Sequence, residues 1–143
     1  MECEMPRINS NTQEMKEYFK NTKTIAVIGC SPNPTKDSHK VAKYLQEVGY
    51  DMIPIYPKED IILGQKVYRS LADIEKSVDM VVVFRKPEVV NAVADACIAR
   101  GDVKVLWTQI GIINNEASQK AKDAGISVVQ NYCAMVEHRV LMN

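Results

Sequence analysis

Residues 29–38 combine residue types that bind phosphate groups in proteins. Gly29 lets the main chain turn sharply and approach a ligand closely. The segment and the residues just after it offer hydroxyl and ammonium donors at Ser31, Thr35, Ser38, Lys36 and Lys40. A helix beginning near residue 37 would add N-terminal N–H groups, which favour an anion. Two prolines and the length of the segment exceed what a plain turn capped by Asp37 or Ser38 needs, so we expect a phosphate-binding loop.

The segment does not carry the common nucleotide fingerprints. It begins G-x-S, and it lacks both the G-x-G-x-x-G pattern and the second glycine before lysine of a P-loop. Folds that bind unphosphorylated NAD place an acidic residue after their second strand, whereas Tyr56, Pro57 and Lys58 follow the second apolar run here. Lys58 suits a ribose that carries an additional phosphate. Tyr56 is interpreted as packing on an adenine ring, or alternatively as an exposed loop tyrosine.

Two later segments indicate what the rest of such a site would contain. Arg85 and Lys86 precede a proline typical of a first helical position. Cations there oppose the helix dipole, which favours an anionic ligand over plain solvated charge. Residues 107–112 are neutral and include Gln109 and the flexible Gly111. The segments together predict a cationic side and a neutral side, which suits a phosphorylated nucleotide with a long neutral arm.

Five short apolar runs provide the elements that position these segments. They are residues 24–28, 52–55, 80–84, 103–107 and 126–129. Continuous apolar runs are typical of parallel strands covered on both faces, and segments with helical period separate most of them. The pattern predicts an α/β fold, a Rossmann-like open parallel sheet of about five strands with helices on both faces. Ligands bind at the carboxyl ends of such strands, where the segments above lie.

The chain length of 143 residues predicts one domain, residues 1–143. Residues 1–21 are expected to contain a helix packed on the sheet, and residues 133–141 a closing helix. The crossover at 56–78 is the least regular part, with a small extra strand possible near 66–68. Edge strands of an open sheet need cover, so the closing segment either covers an edge or pairs with a second copy.

Composition excludes several classes of protein. Eighteen basic residues balance eighteen acidic ones, so no global field attracts nucleic acid. No apolar run is long enough to cross a membrane, and the first residues lack the pattern of a secretory signal. Four cysteines without CxxC spacing predict neither a disulfide framework nor a zinc site. We expect a cytoplasmic protein that binds neither metal nor nucleic acid.

No self-sufficient catalytic group is evident. Cys30 is interpreted as a small residue in a tight turn, with a reactive thiol of lowered pKa as the alternative. His39 and His138 are expected to be surface or capping residues. Cys133 and His138 would project about 140° apart on one helix, so they cannot form a nucleophile–base pair there.

Five motifs in order carry a resemblance to a known family. They read GCSPNPTKDSHKVAKYLQEVGY, PIYPKEDIILGQKVYRSLADI, VDMVVVFR, WTQIG and GISVVQNYCAMVEH. Residues 22–138 resemble the small stand-alone CoA-binding proteins, which are similar to the CoA-binding domain of the succinyl-CoA synthetase α subunit. Two positions depart from the family pattern. Tyr56 stands where the family often has Asn, and Asn131-Tyr132-Cys133 stands where it often has Asp-Arg-Cys.

The resemblance implies a Rossmann-like domain that holds CoA, and it implies roles for particular residues. The pyrophosphate would contact Gly29, Cys30, Ser31, Lys36 and Ser38. The adenosine and its 3′-phosphate would lie between Pro54, Tyr56, Pro57 and Lys58. The path of the nucleotide and pantetheine would follow Val83, Phe84 and Arg85. The far side would be bordered by Trp107, Gln109 and Gly111, although Trp107 by its sequence alone is expected in the core.

Three functions are consistent with the sequence. The first is a non-catalytic CoA or acyl-CoA binding protein that acts as carrier, sensor or regulator. The second is a module of a CoA ligase or transferase that needs a partner subunit for catalysis. The third is an NADP-binding redox or regulatory module. We expect a small nucleotide as ligand, with a homo-oligomer or an unidentified protein partner possible.

Overall fold

A five-stranded parallel sheet forms the centre of the protein in the computed structural model, which describes residues 5–143. The strands are, in chain order, β1 (Thr24–Ile28), β2 (Asp51–Ile55), β3 (Ile61–Ile62), β4 (Gln65–Lys66), β5 (Met80–Val83), β6 (Val105–Thr108) and β7 (Ser127–Val129). The sheet has the order β2-β1-β5-β6-β7, while β3 and β4 form a separate antiparallel hairpin. The predicted open parallel sheet is confirmed.

Helices cover both faces of this sheet. They are α1 (Thr12–Asn21), α2 (Asp37–Glu47), α3 (Val90–Arg100), α4 (Asn115–Asp123) and α5 (Ala134–Leu141). Alternate residues of each strand enter two separate apolar cores. Val81 and Val83 pack on the side of α3 and α4, whereas Met80 and Val82 pack on the side of α1, α2 and α5. No helix among residues 5–143 is long and apolar enough to cross a membrane.

Four of the five strand ranges differ from the sequence prediction by one or two residues at an end, and two of these differences affect the loops that face a ligand. The third apolar run pairs as β5 only to Val83, and Phe84 already belongs to the loop. The fourth run is predicted at 103–107, but pairing begins at Val105, because the N–H groups of Lys104 and Val105 both donate to the carbonyl of Asp79. Pairing then continues to Thr108. The loop after β6 therefore begins at residue 109, one residue later than the sequence predicts.

The irregular crossover adds a rudimentary sixth position to the sheet. Tyr68 forms a parallel bridge with Ile55 on the outer side of β2. The N–H of Tyr68 donates to the carbonyl of Pro54 at 3.0 Å, and the N–H of Tyr56 donates to the carbonyl of Tyr68 at 3.1 Å. With this bridge counted as a strand, the order is that of dinucleotide-binding folds. The switch point of the sheet lies between β1 and β5.

Arg100 holds the crossover at residues 56–78 in place at the amino-terminal end of the sheet, where β5 begins. Its guanidinium donates to the carbonyls of Leu71 and Ile74 at 2.8 and 2.7 Å. It also binds Asp102 at 2.8 Å, and Asp102 accepts the N–H of Val78 at 3.0 Å. These contacts, with that guanidinium foremost, hold the pKa of Asp102 below its ordinary value. The crossover thus enters β5 in one fixed position.

His138 is buried, which corrects the expected surface or capping position. It is 8% exposed, and its Nδ1 lies 2.8 Å from the hydroxyl of Tyr44. The imidazole packs edge-on against Phe19 and Tyr50. It therefore joins α5 to α1 and α2, and burial lowers its pKa below the ordinary value.

This burial predicts a pH-dependent stability. Below the ordinary histidine pKa of about 6.5, the unfolded chain takes up a proton that folded His138 resists. The free energy of unfolding should therefore fall as the pH is lowered from about 7 towards 5. The variant His138→Phe should lose that slope in urea denaturation measured across this range, and His39→Gln should keep it. Equal slopes in the wild type and His138→Phe would refute the assignment.

Candidate functional site

At Gly29 the loop after β1 closely approaches the loop after β5. The φ of Gly29 is +85°, and a Cβ at this position would lie 2.5 Å from the carbonyl oxygen of Phe84 and 3.2 Å from Cδ of Arg85. The N–H groups of Gly29 and Cys30 both donate to the carbonyl of Ile55, at 2.9 and 3.2 Å. The ends of β1, β2 and β5 are thereby held together around a residue that must be glycine.

The loop between Gly29 and α2 is ordered by its own side chains. The N–H of Ser31 donates to the hydroxyl of Ser38 at 3.0 Å, and the N–H of Asn33 donates to the hydroxyl of Ser31 at 3.1 Å. Because both serine oxygens accept, their protons remain free to donate to a ligand. The hydroxyl of Thr35 instead lies 2.8 Å from Oδ1 of Asn33, so it serves the loop.

Helix α2 begins at the same place with free donors. Its N-cap is Lys36, which makes no side-chain hydrogen bond to the helix. Within the described residues, the N–H groups of Asp37 and Ser38 have no hydrogen-bond partner. Such N–H groups and the helix dipole favour an anion. Asp37 in the first turn contributes a negative charge to the same cleft, which Lys36 at the N-cap offsets.

These elements surround a cleft of about 570 Å³, which we call the phosphate end. Its walls come from the loops after β1, β2 and β5 and from the start of α2. The lining residues are Gly29, Ser31, Lys36, Asp37, Ser38, Tyr56, Pro57, Phe84 and Arg85. Apart from Asp37, all of these belong to the set predicted from sequence. The structure thus brings the predicted cations Lys36 and Arg85 into one cleft.

A second cleft of about 600 Å³ continues from the first, and we call it the apolar end. It shares Asp37, Phe84 and Arg85 with the phosphate end. Its other lining residues are Lys40, Val41, Lys86, Gln109, Ile110, Ile112, Cys133, Met135 and Val136. Of these nine, only Gln109 belongs to the set of site residues predicted from sequence, and the last three come from the start of α5, which the prediction did not place at the site. A usable signal existed, because α5 begins just beyond the carboxyl end of β7.

Gln109 is the polar side chain that lies deepest in the apolar end. It is 6% exposed, and its Oε1 accepts the N–H of Ala134 at 3.0 Å. Because an N–H can only donate, this bond fixes which way the amide group points. Its Nε2 then has no hydrogen-bond partner among the described residues.

Six residues of the predicted set do not line either cleft. The side chains of Cys30, Pro54, Val83 and Trp107 are buried in the fold, so contact with a ligand could come only from their main chain. The indole N–H of Trp107 donates to the carbonyl of Tyr132 at 2.8 Å, as befits a core residue. Lys58 and Gly111 are exposed and lie outside both cleft linings.

The alternative of a reactive thiol at Cys30 is wrong. Burial raises the pKa of Cys30 to about 12, because the apolar surroundings disfavour the thiolate more than the nearby helix end favours it. Cys97 is buried as well, whereas Cys133 is half-buried in the lining of the apolar end. No group of three histidine, cysteine or acidic side chains within residues 5–143 is placed to hold a metal ion.

Comparison with known proteins identifies the family. A family model described as a CoA binding domain matches residues 23–139. The chain belongs to this CoA-binding family. It is 39% identical to the uncharacterized protein YneT of Bacillus subtilis, over 92% of this chain and 97% of that protein. A hypothetical protein from Pyrococcus horikoshii OT3 superimposes with a TM-score of 0.91 at 38% identity, and the match covers 100% of both chains.

The chain is also similar to parts of larger enzymes. The chain is 33% identical to the ADP-forming acetate–CoA ligase of Methanocaldococcus jannaschii. That match covers 82% of this chain but 18% of the ligase. The resemblance to the CoA-binding domain of succinyl-CoA synthetase-like proteins is therefore confirmed, and this CoA-binding domain corresponds to a small part of the ligase.

The close approach at Gly29 predicts an unusually large effect of one methyl group. Gly101 has nearly the same φ, +80°, but a Cβ added there would meet nothing within 4 Å. Gly101→Ala should lower the free energy of unfolding by about 1–2 kcal/mol, the cost of the left-handed conformation alone. Gly29→Ala should cost clearly more, because its Cβ meets a main-chain carbonyl that cannot rotate away. Equal losses in urea denaturation would show that the two loops are not held together at Gly29.

Proposed function

We propose that the protein binds CoA or acyl-CoA across the two joined clefts and acts as a non-catalytic carrier, sensor or regulator. The observation that carries this proposal is the polarity of the cleft. The phosphate end combines Lys36 and Arg85 with free N–H groups. The apolar end is lined mostly by apolar side chains and the amide of Gln109, with Lys40, Lys86 and the shared Arg85 also in its lining. CoA has the same sequence of chemistry, from phosphates through a neutral amide-containing arm to a thiol.

The phosphate end suits the pyrophosphate of the ligand. The free N–H groups of Asp37 and Ser38, the hydroxyl of Ser31 and the charges of Lys36 and Arg85 supply donors of the kind that phosphate oxygens prefer. Gly29 leaves room for a ligand to approach the main chain, since no side chain projects from it. These contacts support the pyrophosphate position that the family resemblance implies.

The loop after β2 suits the adenosine and its 3′-phosphate. Tyr56 and Pro57 line the cleft, and Lys58 follows directly. The guanidinium of Arg69 donates to the carbonyls of Tyr56 and Lys58, at 3.0 and 3.1 Å. It thereby fixes the loop beside Lys58, and its other terminal nitrogen lies 3.8 Å from the carboxylate of Asp60. Arg69 could not be found from the sequence, because its approach depends on the pairing of Tyr68 with β2.

A ligase module is the second candidate function, favoured by the similarity to acetate–CoA ligases. In that case a separate protein would supply the remaining catalytic parts. Purification of the chain at native abundance, followed by mass spectrometry of co-purifying proteins, tests this. Recovery of an ATP-binding ligase subunit in constant ratio would favour the module over the stand-alone binder.

Calorimetry with CoA, dephospho-CoA and NADP tests the proposed ligand. CoA should bind most tightly, and dephospho-CoA about tenfold more weakly, because it loses charge-assisted contacts at an exposed site. NADP carries a ribose phosphate, but it has a nicotinamide riboside in place of the flexible pantetheine arm and the sulfur. Tighter binding of NADP than of CoA, or an absence of CoA binding, would refute the proposal.

Lys58→Ala should remove much of the difference between CoA and dephospho-CoA. The expected result is weaker binding of CoA with little change for dephospho-CoA, both measured by calorimetry. Lys104→Ala is the matched control, because Lys104 is also exposed but precedes β6 at the opposite edge of the sheet. It should leave both affinities unchanged. If Lys58→Ala weakens both ligands equally, Lys58 does not contact the 3′-phosphate.

A further inference from the structure

We infer that the apolar end binds the acyl group of an acyl-CoA thioester, and that Nε2 of Gln109 donates a hydrogen bond to the thioester carbonyl oxygen. This inference rests on the proposed CoA site and narrows its ligand to aliphatic acyl-CoA. It starts from Gln109, whose buried amide has a fixed orientation and one unused donor.

The unused NH2 group is available to a ligand. Oε1 of Gln109 accepts the N–H of Ala134, while Nε2 has no hydrogen-bond partner among the described residues and is not one of the buried atoms that lack a partner, so it faces the open cleft. That bond prevents the amide from turning to satisfy Nε2 elsewhere, because the N–H of Ala134 would then face a second donor. Gln109 is thus placed to meet a carbonyl oxygen of a molecule in the cleft.

The side chains around Gln109 show which part of the ligand this carbonyl belongs to. The apolar end is lined by Lys40, Arg85 and Lys86 and also by the apolar side chains of Ile110, Ile112, Met135 and Val136. These four apolar side chains offer no strong hydrogen-bond acceptor to the amide N–H groups of a pantetheine arm. They suit a sulfur atom and an aliphatic chain, which need no hydrogen bonds.

The exposure of these side chains points the same way. Ile110 is 69% exposed and Val136 is 43% exposed, although both line a concave surface that continues from the phosphate end. A ligand anchored by its phosphates near Lys36 would direct its opposite end, the sulfur, towards them. An acyl group on that sulfur would remove both side chains from water, which free CoA would not do.

Affinity for a series of acyl chains tests the inference. Each methylene removed from water strengthens binding by up to about fourfold, so butyryl-CoA should bind about tenfold more tightly than CoA. Ile110→Ser should reduce this gain, and Ile61→Ser should not. Ile61 is the matched control, because it is 68% exposed and lies in β3, outside the cleft linings. Equal affinities of CoA and butyryl-CoA would overturn the inference.

Gln109→Glu tests the hydrogen bond separately from the acyl contact. The substitution keeps an oxygen for the N–H of Ala134 but removes the amide donor. Wild-type protein should prefer butyryl-CoA over the thioether S-butyl-CoA, which lacks the carbonyl, by about fivefold. The variant should lose this preference while still distinguishing CoA from dephospho-CoA. An unchanged preference in a variant that binds both would show that Gln109 does not contact the thioester carbonyl.

Cys133 provides a readout of position that does not depend on affinity. It is half-buried in the apolar end, whereas Cys30 and Cys97 are buried in the core. In a Cys3→Ser background, alkylation of Cys133 by iodoacetamide should be slowed more by saturating hexanoyl-CoA than by saturating acetyl-CoA. Neither ligand has a free thiol that would consume the reagent. Equal protection would place the acyl chain elsewhere.

The two proposals fail in different ways. If CoA itself does not bind, both the proposed function and the inferred acyl site are wrong. If CoA binds and loses affinity without its 3′-phosphate, but chain length has no effect on affinity or on Cys133, the acyl inference alone is wrong.

Discussion

The contact between Gly29 and the carbonyl of Phe84 is the constraint on which the site depends. At the switch point the chain leaves β1 towards one side of the sheet and later returns to its other side at β5, so the two following loops diverge. A cleft opens between them only if the main chains first come close together. The 2.5 Å separation from a Cβ position leaves no room for any side chain there. The start of α2, the Tyr56 loop and Arg85 then face the same space.

Most of the fold could be predicted from sequence because burial on both faces leaves a clear pattern. Continuous apolar runs such as residues 80–84 occur where a strand touches two cores, and here those cores contain Val81 on one side and Val82 on the other. The crossover at 56–78 carries no comparable signal. Its sheet contact is a single bridge at Tyr68, which is too short to produce any period. Its position depends on tertiary contacts such as those of Arg100.

The same distinction applies to the site: residues positioned by local sequence could be predicted, and residues positioned by tertiary contacts could not. Residues in loops directly after strands, such as Ser31 and Arg85, could be placed because parallel strands bring their carboxyl ends to one edge. The start of α5 follows β7 and could have been placed at the same edge, but which of its side chains reach the cleft depends on how the helix docks through His138. Cys30 shows a further limit. Its position before a helix suggests a lowered pKa, but the sign is decided by burial, which raises the pKa to about 12.

A chain with no net charge can still suit a highly charged ligand, because charge is arranged along the cleft rather than over the surface. Lys36 and Arg85 line the phosphate end, and neutral side chains make up most of the lining of the apolar end, which also includes Lys40, Lys86 and the shared Arg85. Phosphate contacts of this kind weaken with salt, whereas burial of an acyl chain does not. In the proposed complex the phosphates would therefore fix the orientation of the ligand. The apolar end, with Gln109, would distinguish one CoA derivative from another.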